Sequence, residues 1–308
     1  MRLHLRARGF RPVWRTRLNI FLLNSNHRLN MQKQVMQNQA MQKTLFIGGG
    51  NMAYAILGGL LRSGVPASAF HVIDPSPESA AKMAEMNLRC TVDWPDDFKP
   101  DVVVLAVKPQ MMQAVLNQQA AHLNNVLLIS IAAGVSVAQI QQWSAQSDAR
   151  VVRCMPNTPA LVAQGISGLY FTANCNDADH TTAHQIFNSC GEVVVVNTED
   201  EINAVTAISG SGPGYVFFLM EALAQAAQNL GFSEAQANLL VNQTFLGAAT
   251  LAKQSDDSFA TLREKVTSKG GTTFAGLEQL RALGVSTAIQ GAAQAAFDRA
   301  VELQKNAG

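Results

Sequence analysis

Leu45-Phe46-Ile47-Gly48-Gly49-Gly50-Asn51-Met52-Ala53 reads as a short buried strand, a glycine turn and the start of a helix. That succession is where a doubly wound sheet holds the pyrophosphate of a dinucleotide. Gly48 permits the tight turn, Gly50 lets the backbone approach phosphate, and Ala53 takes the third small position, where helix and strand pack closely. Gly49 adds only flexibility on this reading. An anion here would sit on the unpaired N–H groups of the helix start.

Working outward, Ala55, Ile56, Leu57, Leu60 and Leu61 give that helix an apolar face, and Gly64 stops it. A second strand over 69–73 ends at Asp74-Pro75-Ser76-Pro77. Asp74 lies 24 residues after Gly50, the separation of an acid that accepts from a cofactor ribose hydroxyl, or it is only a turn acid before Pro75. Ser76 caps the next helix and is placed to receive a 2′-phosphate. Asp74 thus favours NAD and Ser76 favours NADP, a contest the spacing leaves open.

Asp101–Val107 is the clearest buried parallel strand, delivering Lys108-Pro109-Gln110 to the ligand edge of the sheet, where Lys108 approaches a cofactor phosphate or merely solvates a loop. Strands over 125–131 and 150–154 follow. The second runs into Met155-Pro156-Asn157-Thr158-Pro159, a rigid polar loop suited to a ligand or to a sheet-edge turn. Strands over 168–172 and 192–196 complete a first domain. From residue 199 the chain turns helical, with helices expected over 213–230, 233–253, 258–267 and 286–305. Their Ala-rich faces predict a dimerisation domain. Within it, Ser268-Lys269-Gly270-Gly271-Thr272-Thr273 makes an anion-binding turn at a helix start, or merely a loop and cap.

Composition narrows the field. With 48% hydrophobic and 15% charged residues the chain builds a sizeable core and is not disordered. The net charge of +1 hides a division: residues 1–40 carry eight Arg or Lys and no Asp or Glu, leaving 15 basic against 22 acidic residues, or −7, in the rest. Such a body argues against an extended nucleic-acid footprint. The basic head reads as an extension outside the core, with Met31, Met36 and Met41 as internal starts; its apolar run near Ile20–Leu23 is too short to span a membrane. Cys90, Cys154, Cys175 and Cys190 form no C-x-x-C and read as buried reduced thiols. His180 and His184, four apart, read as a solvated helix face, and no metal site is expected.

Taken in order, Phe46–Met52, Ala106-Val107-Lys108-Pro109-Gln110, Arg153–Pro159, Ser209-Gly210-Ser211-Gly212-Pro213 and Val266–Thr273 resemble the landmarks of the pyrroline-5-carboxylate reductases, over about residues 41–304. The resemblance implies an α/β architecture: an extension at 1–40, a Rossmann-like doubly wound domain at 41–200, and an all-helical substrate and dimerisation domain at 201–308. It implies hydride transfer from NADPH, with NADH as the alternative, to (S)-1-pyrroline-5-carboxylate, giving L-proline in proline biosynthesis. A homodimer is implied, assembled into decamers in many bacterial members, in the cytoplasm, with no nucleic-acid or membrane partner. By resemblance Thr273 is the catalytic hydroxyl aimed at the ring nitrogen, and Ser268, Gly270, Gly271 and Thr272 hold the carboxylate. Gly48, Gly50, Asn51, Met52, Asp74, Ser76, Ala106, Val107, Lys108, Pro109 and Asn157 would bind cofactor. Lys269 stands where the family usually has proline. Two other readings are a nucleotide-sensing protein without turnover and a dehydrogenase of another small carboxylate.

Overall fold

In the computed structural model, which describes residues 41–306, eight strands form one sheet in the order β3-β2-β1-β4-β5-β6-β7-β8. The extension at 1–40 lies outside the described residues. The strands are β1 (Thr44–Ile47), β2 (Phe70–Ile73), β3 (Arg89–Thr91), β4 (Val102–Leu105), β5 (Leu127–Ser130), β6 (Val151–Met155), β7 (Gly165–Phe171) and β8 (Gly191–Val195). Strands β1 to β6 run parallel, β7 turns antiparallel to β6, and β8 is parallel to β7. The sheet is therefore mixed at one end. The three-residue β3 has no buried residue and gave no apolar run to read.

A strand buried on both faces favours apolar side chains at successive positions; β4 supplies them throughout and β1 from Leu45 onward, while the buried Thr44 hydroxyl donates to the Gln42 carbonyl at 2.9 Å. Phe46, Val102 and Val104 point to one face, packing with Ile56, Leu57, Ile186 and Phe187. Leu45, Ile47, Val103 and Leu105 point to the other, against Met112, Leu116, Ile140 and Trp143. The covering helices are α1 (Asn51–Arg62), α2 (Pro77–Glu85), α3 (Pro109–Gln119), α4 (Val137–Trp143) and α5 (Asp177–Asn188). Real caps start several of them: Ser136 on α4 and Asn176 on α5 each complete a reciprocal capping box.

The helical half comprises α6 (Glu201–Val205), a π-helical turn at Thr206–Gly210, α7 (Gly212–Asn229), α8 (Glu234–Lys253), α9 (Phe259–Lys265), α10 (Thr272–Ala282) and α11 (Val285–Asn306). Helices α7, α9 and α10 bury no residue within the protomer, and α8 buries only Ala237 and Val241. Phe217 and Phe218 are 63% and 69% exposed. An apolar face of this extent marks an interaction surface.

All four cysteines are free. Cys154 and Cys190 are buried as expected, whereas Cys90 and Cys175 are only half-buried. Burial pushes the Cys190 thiol up to about 11, so it is unreactive at neutral pH. His180 and His184 do not lie on a solvated face: both are half-buried, with His180 stacked on Phe171 at 3.8 Å between ring centroids. Phe171 at the end of β7 supplied an apolar partner that the local sequence of α5 concealed.

His71, fully buried in β2, gives the fold a pH dependence. Its Nε2 lies 2.9 Å from Thr91 Oγ1, whose own proton goes to the Asp93 carbonyl, so Nε2 carries a proton and donates. Nδ1 is buried without a partner. Burial, with Arg89 nearby and Asp97 only partly opposing, holds the imidazole below its usual value. With the folded pKa depressed below the unfolded value of about 6.5, the unfolded chain takes up the proton first; stability present above that pH falls as pH drops through it. The urea midpoint should decline between pH 7.5 and 5.5, and His71→Gln should flatten that slope; an unchanged slope would sink the assignment.

Candidate active site

The glycine turn lies where the C-terminal ends of β1 and β4 meet, and two contacts shape it. Gly48 has φ +103°, and a Cβ there would meet the Ala106 carbonyl oxygen at 2.6 Å and Val107 N at 2.9 Å. Only glycine fits, because the backbone after β4 passes directly over it. Its N–H donates to the Ile73 carbonyl at 2.8 Å, tying the turn to β2. Gly50, by contrast, has ordinary dihedrals as the N-cap of α1, and nothing lies within 4 Å of a Cβ placed on it. No side chain caps α1, so the first N–H groups of the helix, Asn51 and Met52 among them, remain available to an anion.

Asp74 does more than follow a strand. Its Oδ2 accepts from Gly49 N–H at 2.6 Å and its Oδ1 from Ser76 N–H at 2.8 Å. Gly49 is consequently a fixed donor in the turn and not a flexible spacer. Each carboxylate oxygen keeps a second lone pair, so a ribose hydroxyl can still be received. Ser76 caps α2 by accepting from Ser79 N–H at 3.4 Å. Ala106 and Val107 are half-buried, Lys108 is the exposed N-cap of α3, and Pro109 opens that helix. These residues share one edge of the sheet with the glycine turn, as the sequence implied. Among the described residues this lip carries the features a dinucleotide requires: a close backbone approach, unpaired helix donors and an acid at the end of the adjacent strand.

Asn157 follows β6 on the same edge but is nearly buried, at 8% exposure. Both ends of its amide are engaged by protein: Oδ1 accepts from Ile166 N–H at 2.9 Å, and Nδ2 donates to the Ser209 carbonyl at 3.1 Å. Four residues earlier, Arg153 is 2% exposed in β6 and pairs with Glu199 at 2.8 Å. Glu199 Oε1 also accepts from Val137 N–H at 2.7 Å, at the start of α4. These residues join the sheet to the helical half. Sequence reading gave Arg153 no role, since its partner is 46 residues away.

The Ser268–Thr273 turn is exposed except for half-buried Gly271. Gly270 takes the left-handed region at φ +73°, Gly271 N–H donates to the Ser268 carbonyl at 3.0 Å, and Gly271 is the N-cap of α10 without side-chain help. Thr272 and Thr273 open the helix with free donors. Lys269 is exposed and has no ion-pair partner among the described residues. No hydrogen bond among those residues links this turn to the glycine turn of the same protomer. The hydroxyl of Tyr215, near the base of α7, is buried and unpartnered within the protomer. No group of three His, Cys, Asp or Glu among the described residues is placed to hold a metal.

A pyrroline-5-carboxylate reductase of Pseudomonas aeruginosa is 43% identical over 272 residues, covering 85% of this chain and 97% of that protein. The chain belongs to the pyrroline-5-carboxylate reductase family. Its residues 199–303 match the domain described as pyrroline-5-carboxylate reductase dimerisation, and residues 43–134 match the family described as NADP oxidoreductase, coenzyme F420-dependent. The solved pyrroline-5-carboxylate reductase of Coxiella burnetii superposes with a TM-score of 0.80 at 37% identity, covering 85% of this chain and 98% of that one. That of Plasmodium falciparum, solved with NADP bound, gives 0.77 at 29% identity, covering 87% and 100%. The Rossmann-like domain followed by a helical dimerisation domain is thus the family architecture, and the exposed apolar faces of α7 and α8 belong to its dimerising half.

Proposed function

We propose that Thr273 and the backbone donors of Ser268–Thr272 present the substrate to a nicotinamide held at the glycine turn, in a pocket completed in the assembled dimer. The reaction follows from family membership: the chain is an NAD(P)H-dependent reductase that converts (S)-1-pyrroline-5-carboxylate to L-proline. What carries the residue assignment is the bare start of α10, where Gly271 caps without a side chain and the neighbouring N–H groups face outward beside a threonine hydroxyl. A carboxylate suits those donors.

The chemistry asks little of the protein beyond placement. The bound nicotinamide supplies the hydride. A protonated C=N is already an electrophile; hydride arrival at its carbon leaves a neutral amine, and the nitrogen keeps the proton it brought. An unperturbed threonine hydroxyl is a poor acid, so Thr273 orients the ring nitrogen while solvent or the pre-protonated substrate provides the proton. Lys269 adds positive charge beside the carboxylate turn.

The preferred cofactor on this reading is NADPH. Support comes from the Ser76 hydroxyl, which caps α2 through a long 3.4 Å bond and suits a 2′-phosphate, and from the two backbone N–H groups that already bond the Asp74 carboxylate. Higher assembly of the dimer into a decamer, and a cytoplasmic location, complete the reading; among the described residues no helix is long and apolar enough to cross a membrane.

Thr273→Ala should lower kcat/KM for pyrroline-5-carboxylate about thirtyfold, or ~2 kcal/mol, the worth of one hydrogen bond to a charged group. NADPH affinity, read by fluorescence titration, should stay within a factor of about two. Equal loss of cofactor affinity in a folded variant would remove Thr273 from this role. Assaying the unmodified protein with NADPH and NADH in parallel tests the cofactor preference.

A further inference from the structure

We propose that Asn157 is a positioning residue for hydride transfer, a tie between the cofactor edge of the sheet and the helical half, and not a cofactor ligand. The inference rests on the reading above, in which the two halves carry the two reactants.

A break in the helix creates the need for the tie. In an unbroken α-helix the Ser209 carbonyl would accept from the N–H of residue 213, but that residue is Pro213, which has none. The chain widens here into a π-helical turn, with Ser211 N–H reaching back five residues to the Thr206 carbonyl at 2.8 Å. Gly214 N–H turns instead to the Ser211 carbonyl at 2.9 Å. Ser209 O thus loses the donor an α-helix would give it, and Asn157 Nδ2 supplies one at 3.1 Å from the opposite domain.

The other end of the same amide is equally committed. Asn157 Oδ1 accepts from Ile166 N–H at 2.9 Å, so one planar group joins the loop after β6, the start of β7 and the base of α7. Surrounding contacts leave little slack. A Cβ on Gly168 would meet Val205 Cγ1 at 2.6 Å, and one on Gly210 would meet Met155 Cε at the same distance. Two residues upstream of Met155, Arg153 pins β6 to Glu199. The loop at 155–159 leaves the C-terminal end of a parallel strand, on the edge where the nicotinamide would lie. Its distance from the π-helical turn depends on this amide, and that turn packs against α11, which in turn packs against α10, the helix that the Ser268–Thr273 turn opens. A misplacement on the order of 1 Å at the reacting atoms is enough to cost about a hundredfold in rate.

Asn157→Ala removes both bonds; Asn157→Asp sets a carboxylate oxygen against the Ser209 carbonyl at nearly unchanged volume. Both are made in the full-length chain. For each we expect kcat to fall at least tenfold while the NADPH dissociation constant moves less than about twofold, with the circular dichroism spectrum and dimer retained. The kinetic isotope effect with NADPH deuterated at the transferred position should rise as hydride transfer becomes rate-limiting. A residue needed only for folding would not move the isotope effect at constant cofactor affinity. NADPH affinity falling in step with kcat would make Asn157 a cofactor ligand and overturn the proposal, as would an unchanged kcat.

If Asn157→Ala alone does not fold, the double variant Asn157→Ala with Pro213→Ala returns a local donor to Ser209 O and removes the tie. Its kcat should remain low; recovery to the unmodified rate would show that the amide merely satisfies a carbonyl, and would end the proposal. Absence of turnover in the unmodified protein would instead sink the reductase reading, so the two failures are distinct.

Discussion

Gly48→Ala is expected to destabilise the protein by about 3 kcal/mol and to abolish measurable NADPH binding. Two effects add. The residue holds φ +103°, outside the range an L side chain adopts without strain of about 1–3 kcal/mol. The new methyl would also press on backbone, with the Ala106 carbonyl oxygen at 2.6 Å and its carbon at 2.7 Å, and backbone between two central strands does not move aside as a lysine tip would. Overpacking at such a site costs about 1–3 kcal/mol more. Gly50→Ala is the matched control: φ is −69° and nothing lies within 4 Å, so the fold should tolerate the methyl to within about 0.5 kcal/mol while it projects toward the space of the pyrophosphate. Urea midpoints and NADPH titrations on the pair separate a glycine needed for the backbone from one needed for the ligand. Equal stability losses in both would refute the distinction.

Removing the Glu199 carboxylate should have an effect of similar size by another route. Glu199→Ala leaves the Arg153 guanidinium, 2% exposed, without its countercharge, and strips an acceptor from Val137 N–H at the start of α4. Breaking one side of a buried pair costs about 3–5 kcal/mol, because a desolvated charge is stranded. Burial already pulls the Arg153 pKa down, with Glu199 opposing it. Pairing Glu199→Gln with Arg153→Met removes both charges and should recover most of the loss, since an apolar replacement of the whole pair carries no stranded ion. Chemical denaturation of the single and the double variant decides the matter; a loss under about 1 kcal/mol in Glu199→Ala would mean that water reaches the arginine.

The dinucleotide-binding core was legible because its signals are local. Continuous apolar runs at β1, β4 and β5 and the glycine turn announce a parallel sheet without reference to distant residues. Cross-chain commitments were not legible. Nothing near Asp74 says that its carboxylate bonds Gly49 N–H, and nothing near Arg153 names Glu199. The antiparallel β7 was equally hidden, since direction depends on how the short turn at Thr158–Val162 folds back and not on the composition of the strand. One signal was readable and went unread: a proline four residues after Ser209 in a helical stretch declares a carbonyl without a donor, and so asks which side chain will serve it. The Ser268–Thr273 turn was legible as a glycine turn at a helix start, but no local pattern states which half it faces.

Helices α7, α9 and α10 enclose nothing within their own protomer, and this places the helical half in an unusual position. Little of its interior is closed within one chain, so its folding leans on a second-order event, governed by how much of the chain is present. Newly made protomers therefore have one half that can settle alone and another that must wait for company, and a substitution on an outward-facing leucine of α8 would act there as a core mutation acts elsewhere.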